Sequence, residues 1–150
     1  MVSWIWGIGL IGVSIAIHSI GLVWFVVVLR RLRDYRDRLE RPRLGHPWMA
    51  TLVMGAVGMA LATLHAIEAA LWAIAYVLLG AIDTLEAAML YSIDSMTTRG
   101  DSGLRLDDEW LIMGALEAAD GMLLFGISTA FLFGVISHVW SLMSEQTRPR

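Results

Sequence analysis

The stretch Asp83-Thr84-Leu85-Glu86-Ala87-Ala88-Met89-Leu90-Tyr91-Ser92-Ile93-Asp94-Ser95-Met96-Thr97-Thr98-Arg99-Gly100-Asp101-Ser102-Gly103 stands between two long apolar runs and cannot itself cross a bilayer. Its first part reads as a helix from Thr84 to about Thr97. Asp83, with Glu86 three residues on, has the pattern of a capping box. Such a helix is roughly 21 Å long at 1.5 Å per residue, whereas a bilayer's hydrocarbon core is about 30 Å thick. It enters and does not exit. Thr97 to Gly103 then reads as a loop. Non-helical backbone at membrane depth is tolerated only inside protein or beside water, so several subunits must surround the segment. The alternative is an amphipathic helix lying on the outer membrane surface.

The rest of the chain supplies the membrane. Its 150 residues are 57% hydrophobic with a mean hydropathy of +0.66. A soluble domain this small cannot hide so much apolar surface. No Cys and no Lys occur, which excludes disulfides and thiolate metal sites. The first span, Trp4 to Leu29, has no charged side chain and lacks the basic start and small-residue cleavage site of a signal peptide. Gly7, Ser14 and Gly21 recur every seventh residue along it, with His18 close by, as a helix-packing stripe. The second span runs from Trp48 to about Gly80, interrupted only by His65 and Glu68. The third follows Asp107, Asp108 and Glu109 and runs from Trp110 to about Leu142.

Charge sets the expected orientation. Arg30, Arg31, Arg33, Arg36, Arg38, Arg41 and Arg43 crowd the first linker, interleaved with Asp34, Asp37 and Glu40. Arg-rich loops stay cytoplasmic, and Arg148 and Arg150 put the C-terminus on the same side. The N-terminus and the 83–109 region are then outside. The expected organisation is an N-terminal transmembrane helix (1–30), a basic cytoplasmic linker (31–47), a pore domain (48–143) and a cytoplasmic tail (144–150).

From His65 to about Val135 the chain resembles small bacterial members of the potassium-channel-like pore-loop superfamily. The resemblance rests on His65-x-x-Glu68, Trp72-Ala73 with Tyr76, Tyr91-Ser92 and Met96-Thr97-Thr98. It continues in Leu116-Glu117-Ala118, Gly121-Met122-Leu123-Leu124-Phe125-Gly126 and Ser128-Thr129-Ala130-Phe131. It implies a homotetramer in the inner membrane, with the third long helix lining a pore and the loop forming its filter. It also implies that Gly121 or Gly126 is a hinge; packing is an equal reading of both.

The loop departs from the family. Potassium filters read Thr-Thr/Val-Gly-Tyr-Gly-Asp, often with one further apolar residue before the first Gly. Here Thr97, Thr98, Arg99, Gly100, Asp101, Ser102 and Gly103 take those places. Gly100 keeps the first Gly position. Asp101 replaces the aromatic residue, Ser102 the second Gly and Gly103 the acid. A ladder of carbonyls for dehydrated potassium needs permissive backbone at both Gly positions, so potassium selectivity does not carry over. Arg99 either faces the pore and acts on ions, or is paired with Asp94 or Asp101, because an unpaired charge there is expensive.

Other ionisable residues fall within the spans. His65 and Glu68 share a helix face and read as a hydrogen-bonded cluster with Trp72 and the pore helix, as a proton relay, or as metal ligands. Glu117 and Asp120 are also three apart, but the Glu-x-x-His pattern of di-iron bundles is missing. Asp120 forms a ring of four carboxylates if it faces the fourfold axis. Haem ligation by His18, His65 and His138 is disfavoured. Counted from the inner ends of the spans, His18 and His65 differ in depth by roughly 10 Å.

The expectation is therefore an all-α membrane protein: three transmembrane helices plus a re-entrant pore helix and filter loop, tetrameric, not an enzyme. No cofactor, metal or nucleic acid is implied; its partners are its own copies, the lipid bilayer and a permeating inorganic ion. The pore is weakly selective or not potassium-selective. The alternatives are a non-conducting subunit or sensor on a channel scaffold, and a proton- or metal-handling membrane protein.

Overall fold

The computed structural model describes residues 1–38, 47–100 and 102–146. They form four helices: α1 (Val2–Arg38), α2 (Pro47–Leu78), α3 (Leu85–Met96) and α4 (Leu111–Gln146). Three of them are long and apolar enough to cross a membrane, over Val2–Tyr35, Trp48–Leu78 and Leu111–Ser141. Their outward faces are apolar and open: Leu78, Phe133 and Trp140 are each more than two-thirds exposed. Such surface on every long helix fits a lipid solvent, not water.

α1 continues past Leu29 to Arg38, so part of the expected linker is helical. The rest, 39–46, lies outside the described residues, as do Asp101 and 147–150. α1 packs on α2 and α4; α3 packs on the same two helices and not on α1. The Gly7–Ser14–Gly21 stripe is the packing face of α1. A Cβ on Gly7 would stand 2.5 Å from Leu116 Cδ1, and one on Gly21 2.9 Å from Leu64 Cδ2. Ser14 between them is fully buried. Hydrogen at these positions allows the close approach that helix association in lipid needs.

The core centres on Trp72, Ala73 and Tyr76 of α2, Ala88 of α3 and Met113 of α4, all fully buried. α2 closes with a left-handed cap at Gly80 (φ 71°). The Ala81 amide reaches the Tyr76 carbonyl at 2.9 Å and the Gly80 amide the Val77 carbonyl at 3.1 Å. This paired bonding is the Schellman stop, and Gly adopts its left-handed position without a steric penalty.

Candidate functional site

α3 opens at Thr84, not Asp83. Thr84 is extended (φ −126°, ψ 146°) and its hydroxyl accepts from the Ala87 amide at 3.2 Å. Asp83 and Thr84 are both good caps by residue type; the start of the helix selects the second, so the expected Asp83–Glu86 box does not form. Ser92 and Ser95 fasten the helix to its neighbours. Ser92 donates to the Ala69 carbonyl of α2 at 2.8 Å and also contacts Glu117 of α4. Ser95 donates to the Gly114 carbonyl at 3.0 Å. Gly121 lies directly against the backbone of Met96, with Met96 Cα 2.7 Å from where a Cβ would be. Gly121 is thus a packing glycine. Gly126 has nothing within 4 Å of that position.

The end of α3 repeats the stop of α2 with the wrong residue in it. The Arg99 amide bonds the Asp94 carbonyl at 3.0 Å and the Thr98 amide the Ser95 carbonyl at 2.9 Å. Thr98 therefore occupies the left-handed position, at φ 56°. A β-branched residue there is an outlier, and such strain clusters at functional loops. Gly100 (φ 68°) and Gly103 (φ 70°) are the next left-handed positions among the described residues.

Asp94 is the anchor of this loop. It is 4% exposed; its Oδ1 accepts from Arg99 Nε at 2.6 Å and its Oδ2 from the Ser102 amide at 2.9 Å. Of the two acids offered to Arg99 by the sequence, Asp94 makes this contact; Asp101 lies outside the described residues. The Arg99 side chain is 58% exposed, so the pair is open on one side. Thr97 turns back on its own helix, donating to the Ile93 carbonyl at 2.7 Å. Beside the loop lies a cleft of about 440 Å³ bordered by Tyr91, Asp94, Thr98, Gly100, Ser102 and Arg105.

His18, His65, Glu68, Glu117 and Asp120, ionisable residues of the three long helices, meet inside the bundle. His18 of α1, His65 and Glu68 of α2, and Ser128 of α4 close a ring. Nδ1 of His18 lies 2.8 Å from Glu68 Oε1, and Nδ1 of His65 lies 3.1 Å from Oε2. Both Nε2 atoms reach Ser128 Oγ, from His65 at 3.0 Å and from His18 at 3.1 Å. Each of these contacts needs one hydrogen, and Ser128 supplies one. Glu68 and the two imidazoles share the others, with the donor at each ring nitrogen set by the tautomer. One turn along α2, Trp72 Nε1 donates to Ser14 Oγ (3.2 Å) and Asp120 Oδ2 (3.0 Å). A further turn on, the Tyr76 hydroxyl donates to Glu117 Oε2 at 2.8 Å.

Three expectations are corrected by this column. Among the described residues His65 and Glu68 do not bond Trp72 or α3; α1 supplies a third wall, and Glu117 takes the contact with α3. Asp120 is 1% exposed and faces α1 and α2, so the condition for an axial carboxylate ring is not met. His18 and His65 do not differ in depth: their ring centroids are 5.3 Å apart. The depth error came from ending α1 at Leu29. Counted from Arg38 and Pro47, the two residues lie about 30 and 27 Å along their helices. His138 is exposed and takes no part.

Sequence reasoning missed Ser14 and Ser128 as partners, and paired His18 with neither Glu68 nor Ser128. The signal for them was spacing: Ser14 and His18 are four apart on α1, and Asp120 and Ser128 eight apart on α4, each pair on one face. No family model, curated protein or solved structure matches the chain.

Proposed function

We propose that this chain is a pore-loop, channel-like membrane protein that assembles as a homotetramer, with α3 as the re-entrant helix and residues 97–103 as the altered filter. One observation carries the reading: α3 is too short to span, yet its C-terminal backbone lies on Gly121. Gly121 is ten residues into α4, about 15 Å from its start at 1.5 Å per residue. That is near the midplane of a core about 30 Å thick. A helix C-terminus at that depth places its partial negative charge where a cation is stabilised.

The loop argues against potassium. Among the described residues its left-handed positions are Thr98, Gly100 and Gly103, and Ser102 and Asp101 stand where a potassium filter has its second glycine and its aromatic residue; Arg99 adds a cation to each copy. The purified chain should run as a tetramer by native mass spectrometry. In planar bilayers its currents should show no strong preference for potassium over sodium. A stable monomer, or a reversal potential that follows potassium alone, is the result that defeats the proposal. A non-conducting sensor on the same scaffold is the second reading, favoured by the tie of Arg99 and Ser102 to Asp94. It predicts the tetramer with no current under any ion gradient.

The proposed orientation, in the bacterial inner membrane, follows the Arg distribution, with the 30–43 stretch cytoplasmic and the loop outside. The chain has no Cys, so single replacements report cleanly. Ser102→Cys should react with an impermeant thiol reagent added outside intact cells, and Gly45→Cys only after lysis. The reverse pattern inverts the topology.

A further inference from the structure

We propose that His18, His65 and Glu68 form a binding site for one divalent transition-metal ion of the zinc type. The site is distinct from the filter loop, and the inference does not depend on the channel reading. Ligand atoms of the three residues lie within 4.8 Å of one another. Zinc holds nitrogen and oxygen at about 2.0–2.2 Å in a tetrahedron, which separates neighbouring ligands by roughly 3.3 Å. The Nδ1 to carboxylate distances of 2.8 and 3.1 Å need to open by a few tenths of an ångström, and the widest ligand separation, within 4.8 Å, closes toward that spacing by side-chain rotation. Both imidazoles then present Nδ1 from the side where Glu68 lies.

The far side of each ring is already arranged for this. A metal-bound histidine nearly always gives its other N–H to an oxygen, which fixes tautomer and ring plane. Here one oxygen, Ser128 Oγ, stands 3.1 Å from Nε2 of His18 and 3.0 Å from Nε2 of His65. Its lone pairs can accept from both rings at once. Phe125 stacks on His65 with centroids 4.3 Å apart and holds that ring from a second direction.

A second carboxylate is close in the column. Asp120 is joined through Trp72 to α2, one turn from Glu68, and its Oδ1 is buried with no hydrogen-bond partner among the described residues. An orphaned buried oxygen of this kind calls for a donor or an ion. Two carboxylates also balance a doubly charged ion, which an interior of low dielectric demands. Two imidazoles with carboxylate select zinc, cobalt, nickel or ferrous iron over calcium and magnesium, which take oxygen alone. His18 and Glu68 are fully buried and His65 is 14% exposed. Bound there, the ion clamps α1 to α2, with α4 held through Ser128. The alternative is a self-satisfied hydrogen-bond ring with no metal affinity.

The full chain, stripped with chelator, is titrated with Co²⁺ in detergent, in a background where the other two histidines, His46 and His138, are alanine. Visible bands of four- or five-coordinate Co²⁺ should grow to one equivalent per chain and vanish on adding Zn²⁺. Glu68→Gln and His65→Asn should weaken Co²⁺ at least about 100-fold, and Ser128→Ala about 10- to 100-fold, the range for partners behind the ligands. Glu117→Gln, a carboxylate of the same column outside the cluster, should bind as the parent does. Zn²⁺ should raise the unfolding temperature of the parent and not that of Glu68→Gln. A parent that leaves Co²⁺ with its six-coordinate aqueous spectrum overturns the site even if no variant folds. Equal binding by parent and Glu68→Gln overturns it as well.

Discussion

Gly121→Val should detach the short helix from α4 and cost the protein far more stability than a small side chain at Gly126, the other glycine read as a hinge. A Cβ at Gly121 would meet the carbonyl oxygen, Cα and C of Met96, the last two at 2.7 and 2.9 Å. These are backbone atoms, which no rotamer change can move aside. α3 cannot retreat freely, because Ser92 and Ser95 fasten it to Ala69, Glu117 and Gly114. Overpacking typically costs 1–3 kcal/mol, and a collision with fixed backbone places this variant at about 3 kcal/mol or above. Gly126→Ala is the matched control. Nothing lies within 4 Å of its Cβ position, and Ala in a helix interior gains roughly 0.5–1 kcal/mol over Gly. Unfolding of both variants in mild detergent, followed by Trp fluorescence, checks the contrast. If Gly121→Val unfolds with the parent while its function changes, Gly121 bends in the working protein and the hinge reading returns.

Asp94→Ala should release the loop. It removes the acceptor of Arg99 Nε and of the Ser102 amide together. A hydrogen bond to a charged group is worth about 1.5–3 kcal/mol, and leaving a buried donor unpaired adds a cost of similar size. A loss of about 2–4 kcal/mol is expected on that basis. Arg99→Ala should cost less, about 1 kcal/mol, because 58% of its side chain is exposed and solvent screens exposed pairs. This is below the roughly 3–5 kcal/mol of a pair buried on both sides. The double variant should lose less than the two single losses added, since Arg99 has lost this partner once Asp94 is gone. Asp94→Asn retains an oxygen for Ser102 and should fall between parent and Asp94→Ala. Strictly additive losses would mean that the Arg99–Asp94 contact carries no energy. Arg99→Ala would then be expected to alter permeation more than stability.

Local features were legible before any coordinates. Three apolar runs of sufficient length define the three long helices, and a run too short to span defines α3, because helix length is a direct count at fixed rise. The Gly7–Ser14–Gly21 face of α1 follows from period alone. Arg99 and Asp94 are five residues apart, so the end of one helix brings them together whatever the rest of the fold does. Even so, the choice of Thr84 over Asp83 as cap was beyond residue type, since both side chains can accept from the first turn.

The interior column was settled only by tertiary structure. His18 and Glu68 are 50 positions apart, and His18 and Ser128 are 110. Their meeting depends on the stagger and rotation of three helices, each of which drifts by 100° per residue and 1.5 Å in depth. An error of nine residues in where α1 ends shifts the counted depth of His18 by roughly 13 Å along the bundle. That displacement alone separates a histidine that shares a ring with Glu68 from one that faces nothing. Hydropathy states that these polar side chains must find partners away from lipid; which partners they find is a property of how α1, α2 and α4 pack, through glycines at Gly7 and Gly21 that let the backbones close.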